Sequence, residues 1–123
     1  MQKIETSHAP GAIGPYSQGF IVNGFVYTSG QIPVDPATGA VPAGIEAQAH
    51  QSCRNVGAIL EAAGADFSKV FKTTCFLADM GDFAAFNEVY AEYFTGKPAR
   101  SCVAVKELPK DVLVEIETIT ELN

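Results

Sequence analysis

Residues 112–121 read Val-Leu-Val-Glu-Ile-Glu-Thr-Ile-Thr-Glu. Side chains of an extended chain alternate between faces. Val112, Val114 and Ile116 therefore share one face, and Leu113, Glu115, Glu117 and Ile119 share the other. The first face is wholly apolar; the second mixes aliphatic side chains with carboxylates. Such a strand wants cover on both sides, so the number of helices in the rest of the chain decides the architecture.

Two helices can be read. In the first, from about Ile45 to Ala63, Ile45, Ala49, Cys53, Val56, Leu60 and Ala63 recur at three- and four-residue spacing and make one apolar face. Glu46, His50 and Arg54 form a polar stripe opposite, and Gly64 closes the helix. The second helix takes Asp82 as its predicted N-cap, carries Phe83, Phe86, Val89, Tyr90 and Tyr93 on its apolar face, and ends at Gly96. The remaining apolar runs are strands: Tyr16 to Val22, Phe25 to Ser29, Val70 to Leu77, Arg100 to Val105, and Val112 to about Glu121. Asn23-Gly24 between the first two is a strong hairpin signal. Residues 9–15 are turn-rich, and residues 33–44, with three prolines and two glycines, form a surface loop. Two helices cover only one face of a sheet. The other apolar face calls for a second copy of the chain, so closed self-assembly is expected, with Glu115 and Glu117 near the interface.

The 123 residues make one α+β domain, 47% hydrophobic and 18% charged, with no internal repeat or linker. No apolar run reaches the roughly 18 residues of a membrane span. The start, Met1 to Thr6, has no apolar stretch behind Lys3 and does not read as a secretory signal, so a cytoplasmic location is expected. Cys53, Cys75 and Cys102 are an odd, sparse set, expected to be reduced thiols. A net charge of −6 disfavours nucleic acid as a partner.

Arg100 is one of only two arginines, follows Pro98-Ala99, and shares a strand face with Cys102. A guanidinium is a rigid fork for a carboxylate or phosphate, although a surface ion pair would also explain it. Glu115, among Val, Leu and Ile, is either part of a solvated face with Glu117 or a carboxylate that orients water or shuttles a proton. Cys102 lacks an evident base, since the two histidines, His8 and His50, lie elsewhere; it reads as a small apolar thiol whose backbone can still matter. His50 and Cys53 are half a zinc site at most, so no metal is expected. Ser29-Gly30-Gln31 follows a strand directly, where glycine lets a ligand approach or simply ends the strand. Neither a Walker A pattern nor a dinucleotide fingerprint occurs.

With these residues in view the chain closely resembles the reactive intermediate deaminase family, the YjgF-type or Rid proteins, over nearly its whole length. The resemblance is carried by Ile13-Gly14-Pro15-Tyr16-Ser17-Gln18, Thr28-Ser29-Gly30-Gln31-Ile32-Pro33, Pro98-Ala99-Arg100-Ser101-Cys102-Val103, Leu108-Pro109-Lys110-Asp111 and Val114-Glu115-Ile116-Glu117, in that order. It implies that residues 1–123 form one chorismate-mutase-like domain, a mixed sheet with two helices on one face, assembled as a homotrimer with a site between subunits. It implies hydrolysis of enamines and imines (2-aminoacrylate, 2-iminopropanoate, 2-iminobutanoate) to 2-keto acids and ammonia, with no metal or organic cofactor. By the same resemblance Arg100 would hold the substrate carboxylate and Glu115 would position the attacking water. Tyr16, Ser29, Gly30, Asn87 and the backbone at Ser101-Cys102 would line the pocket. The sequence departs from the family between Phe94 and Pro98. Only Thr95-Gly96-Lys97 stands there, where many members have a longer loop with an aromatic residue before the Pro-Ala-Arg-Ser run. Lys97 stands in that place, so the resemblance leaves the pocket mouth and substrate preference open.

Two other readings compete. A non-catalytic module could use the same cleft to bind a small carboxylate metabolite; Arg100 serves either role, whereas Glu115 favours catalysis. A ribonuclease or translation inhibitor, ascribed to some relatives, is opposed by the acidic charge and by the lack of a catalytic histidine pair.

Overall fold

The computed structural model describes residues 1–122. Six strands and two helices follow one another as β1 (Gln2–Ile4), β2 (Gly19–Val22), β3 (Phe25–Thr28), α1 (Ile45–Ala62), β4 (Val70–Leu77), α2 (Phe83–Tyr93), β5 (Ala99–Ala104) and β6 (Val114–Glu121). The sheet order is β1-β2-β3-β6-β4-β5. Strands β4 and β5 are parallel and every other pairing is antiparallel, so this is an α+β fold with a mixed sheet. The parallel pair needs a crossover, which α2 supplies.

Local chemistry accounts for the elements. Asn23 (φ 50°) and Gly24 (φ 83°) both adopt the left-handed conformation that a two-residue hairpin needs, and Val22 pairs with Phe25 across them. Helix α1 ends with Gly64 at φ 81°, where the Gly64 and Ala65 amides donate to the Glu61 and Leu60 carbonyls. Its buried face carries Ala49, Cys53, Val56, Ile59 and Leu60. These pack with Phe86, Val89 and Tyr90 of α2 against Val26, Cys75, Leu77, Val114 and Ile116 of the sheet. Each large aliphatic side chain buried here contributes about 1.5–3 kcal/mol relative to exposure.

Several expectations need correction. The strand read from Tyr16 begins only at Gly19, because Gln18 turns its amide back to hold the preceding loop. The edge strand β1 was not foreseen. Asp82 stands at the start of α2 but makes no side-chain cap; Asp79 accepts from the Gly81 amide and caps the short 3₁₀ turn Met80–Asp82 before it. Helix α2 stops at Tyr93, ahead of Gly96. The last strand, read from Val112, starts at Val114, after a 3₁₀ turn at Pro109–Asp111.

Both helices lie on one face, as the alternation required. The inward positions of β6 (Val114, Ile116, Thr118, Thr120) are buried, while Glu115, Glu117, Ile119 and Glu121 face the other way. No described element covers that second face, on which Tyr27, Phe71 and Val103 are 43%, 44% and 46% exposed. Among the described residues, no helix is long and apolar enough to cross a membrane.

Candidate active site

Arg100 lies on β5 opposite Thr73 of β4, an inward position, so its side chain points to the helix side of the sheet, under α2. Its Nη1 donates to Asn87 Oδ1 at 2.7 Å. The guanidinium carbon lies 4.8 Å from the Tyr90 ring centroid and 5.4 Å from that of Phe83. Phe83, Asn87 and Tyr90 fall at i, i+4 and i+7 of α2 and therefore present one wall to the arginine. Tyr90 is fixed in turn by a 2.7 Å hydrogen bond between its hydroxyl and Thr73 Oγ1, and by stacking on Phe94 with centroids 4.3 Å apart. Burial pushes the Tyr90 phenol up to about 12, so it stays neutral beside the cation. No carboxylate pairs with Arg100 among the described residues. Its remaining N–H donors are free to take an anion in bidentate fashion. A cavity of about 390 Å³ opens beside them, lined by Asn87, Tyr90, Phe94, Lys97, Pro98 and Arg100.

Cys102 shares the face of Arg100 and lies opposite buried Cys75. Burial raises its thiol above the ordinary range, against a smaller downward pull from Arg100. Neither histidine stands beside it. His50 Nδ1 is 2.8 Å from the Tyr93 hydroxyl and its Nε2 is 4.0 Å from Glu92, while His8 is exposed in the N-terminal loop. Among the described residues, no three of His, Cys, Asp or Glu are grouped to hold a metal, and Cys53 is buried in the core. Ser101 alternates to the opposite face.

That opposite face carries Glu115, which lies across from Phe76. The Glu115 carboxylate packs directly on Gly30, its Cδ only 2.8 Å from where a Cβ would stand. The Gly30 segment is pinned on both sides. The Gln31 amide donates to the Ile116 carbonyl at 2.8 Å, and the Ile116 amide returns a 3.2 Å bond to Gln31. The Ser29 amide donates to the Gln18 carbonyl at 2.8 Å and its hydroxyl to the Ser17 carbonyl. Deeper in, fully buried Asn55 donates to the carbonyls of Ile32 (3.1 Å) and Val34 (2.9 Å). Burial, and secondarily the charge of Glu117, holds the Glu115 carboxyl above the ordinary glutamate range. Tyr16, 54% exposed, stands on the loop that Gln18 ties down. The cavity beside Tyr16, about 460 Å³, includes neither Arg100 nor Glu115.

The residues singled out from sequence thus form two groups. Arg100, Asn87 and Cys102 belong to the helix side; Glu115, Gly30 and Ser29 to the other, with Tyr16 on the neighbouring loop. Within one chain they do not converge. Sequence reading missed the aromatic walls Phe83 and Tyr90, whose helical spacing with Asn87 was visible, and Asn55, which was hidden inside a face read as apolar.

The family model described as Endoribonuclease L-PSP matches residues 6–122. The chain belongs to this family. It is 55% identical over 120 residues to the 2-iminobutanoate/2-iminopropanoate deaminase of Salmonella typhimurium, covering 94% of each chain. The crystal structure of Escherichia coli TdcF with bound serine is 50% identical and superposes with a TM-score of 0.95, over 98% of both chains. That of the Escherichia coli YjgF gene product is likewise 50% identical, with a TM-score of 0.96 over the whole of both chains. The family read from the motifs is therefore the right one.

Proposed function

We propose that this protein hydrolyses 2-imino acids and their enamine tautomers to 2-keto acids and ammonia, as a chorismate-mutase-like homotrimer with its sites between subunits. The observation that carries the reading is the division of the site: an open guanidinium on one face of the sheet and a half-buried carboxylate with a raised pKa on the other. A second copy of the chain would bring the Glu115 face of one subunit to the Arg100 edge of the next. It would also cover the exposed aromatic surface around Tyr27 and Phe71. The high identity to a named imine deaminase supports the chemistry, and the serine bound in TdcF supports a small carboxylate as ligand.

In this reading Arg100 grips the substrate carboxylate through two parallel hydrogen bonds and so fixes the plane of the adjacent C=N. Glu115 accepts a proton from water as the oxygen adds to the imine carbon and passes that proton to the nitrogen, giving a carbinolamine. Glu115 then takes the carbinolamine hydroxyl proton and delivers it to the amino nitrogen, the C–N bond breaks as the C=O forms, and ammonia leaves with the 2-keto acid. One imine and one water give one keto acid and one ammonia, with no redox change. Gly30 and Ser29 shape the Glu115 side, Tyr16 and the Ser101-Cys102 backbone line the cleft, and Asn87 aims the guanidinium. No metal or organic cofactor has a step to perform.

The test is kcat/KM for 2-iminopropanoate in wild type, Arg100→Lys and Arg100→Ala, with assembly checked in each. Losing one charge-assisted contact costs about 1.5–3 kcal/mol, or roughly 10- to 150-fold, and lysine should rescue only part of it because it grips as a point charge. Wild-type turnover by a trimeric Arg100→Ala variant would refute the assignment.

A further inference from the structure

The cavity that opens beside Arg100 has a second cation at its rim. Lys97 lines it three residues ahead of Arg100, and among the described residues no acidic side chain lines it. Among the described residues neither cation lies within ion-pair distance of a carboxylate. The backbone fixes where Lys97 starts. It sits at φ 51° between Pro98 and Gly96, and Gly96 is packed so closely on the Ser68 carbonyl that a Cβ would lie 3.0 Å from that oxygen. Lys97 also borders a neighbouring cavity with Lys69 and Phe71, where Glu121 is the only acid. Within one chain its charge is thus unpaired among the described residues.

A simple 2-imino acid has one permanent charge, which the proposed reading assigns to Arg100; Lys97, which lines the same cavity, then has no charge to meet. Within a single chain the cavity measures about 390 Å³, more room than a three-carbon acid needs. We infer that Lys97 is a specificity-determining residue and that the site favours 2-imino dicarboxylates, whose second carboxylate pairs with its ammonium. This rests on the deaminase reading and adds a substrate class to it; the reaction at the imine carbon is unchanged.

The experiment compares 2-iminoglutarate with 2-iminopentanoate, of equal chain length, each formed in situ from its amino acid by an oxidase. The variants are Lys97→Asn, which removes the charge yet tolerates the left-handed backbone, and Lys97→Arg, which keeps the charge. Wild type should prefer the dicarboxylate. Lys97→Asn should lower the ratio of the two kcat/KM values about 1.4-fold to fivefold, the span of an exposed ion pair, and Lys97→Arg should preserve it. The preference should shrink as ionic strength rises. A ratio unchanged by Lys97→Asn would overturn the inference. Calorimetry with 2-oxoglutarate and 2-oxopentanoate separates the two readings. If neither imine turns over but 2-oxoglutarate binds more tightly in a Lys97-dependent way, the deaminase reading falls and the charge-selective site stands. Equal binding of the two acids sinks the inference, whatever the turnover.

Discussion

A Cβ on Gly30 would stand 2.8 Å from Glu115 Cδ, so a side chain fits there only if the Glu115 carboxylate moves away. Gly30 does not have a positive φ, so the constraint is steric and not conformational. Gly30→Ala should therefore act by displacing Glu115. We expect its kcat to fall toward that of Glu115→Gln, which should still bind a 2-keto acid while losing on the order of 10²–10⁴ in kcat. The double variant should be no worse than Glu115→Gln alone, since both changes remove one function. Additive losses in steady-state kinetics would show that Gly30 serves something else.

Acidity supplies a second check. Burial, then Glu117, raises the Glu115 pKa, so the folded protein binds this proton more tightly than the unfolded chain does. The associated stability is present below the ordinary glutamate pKa and is lost as pH rises through the folded value. For activity the sign is reversed, because the base must be ionised. The acid limb of kcat/KM should lie above the ordinary glutamate range, and Glu117→Gln should move it to lower pH by removing a like charge. An acid limb that stays put in Glu117→Gln would remove Glu115 as its source.

The division of the site between faces predicts complementation. Arg100→Ala and Glu115→Gln should each be nearly inactive alone. Refolded together into mixed trimers, they should recover about a quarter of the wild-type rate, the share of interfaces at which an intact Arg100 meets an intact Glu115 by random assortment. Turnover no higher than the average of the two parents would place both groups in one subunit's site.

Cys102 sets a negative expectation. Its thiol is pushed up by burial and has no neighbouring base, so Cys102→Ala should keep most of the activity. Abolished turnover with assembly intact would give the sulfur a chemical role.

Asn55 should matter for stability. It is fully buried and holds the Ile32 and Val34 carbonyls; the Ile32 carbonyl also accepts from the Val34 amide, so Asn55→Ala leaves the Val34 carbonyl as the unsatisfied acceptor. A loss of about 1–3 kcal/mol for that unmet group is expected, seen as a lower urea midpoint. An unchanged midpoint would mean water replaces the amide at no cost.

Much of the fold was legible because its signals are local. The three- and four-residue spacing from Ile45 to Ala63 and the Asn23-Gly24 turn each depend on neighbours in sequence, and both appear where expected. β1 left no signal, since a three-residue edge strand with only Ile4 buried has no period to read. Tyr16 to Gln18 looked extended because nothing local shows that the Gln18 amide bonds back to Thr6 and Pro10. Arg100 and Glu115 were found as residue types, but not their separation. Alternation gives phase within one strand; comparing β5 with β6 requires the register of β4, which lies between them.

That intervening order has a consequence for how the molecule is made. β6, the last of the described strands, pairs with both β3 and β4 and, among the described residues, alone bridges the two parts of the sheet. A nascent chain can form the β1–β2–β3 meander and the β4–α2–β5 unit early, but they remain separate halves until Val114–Glu121 leaves the ribosome. Closure then joins segments far apart in sequence, which is slow. Until it happens, the open edges of β3 and β4 are exposed together with their inner apolar faces. Synthesis is thus the stage at which this protein is most open to aggregation.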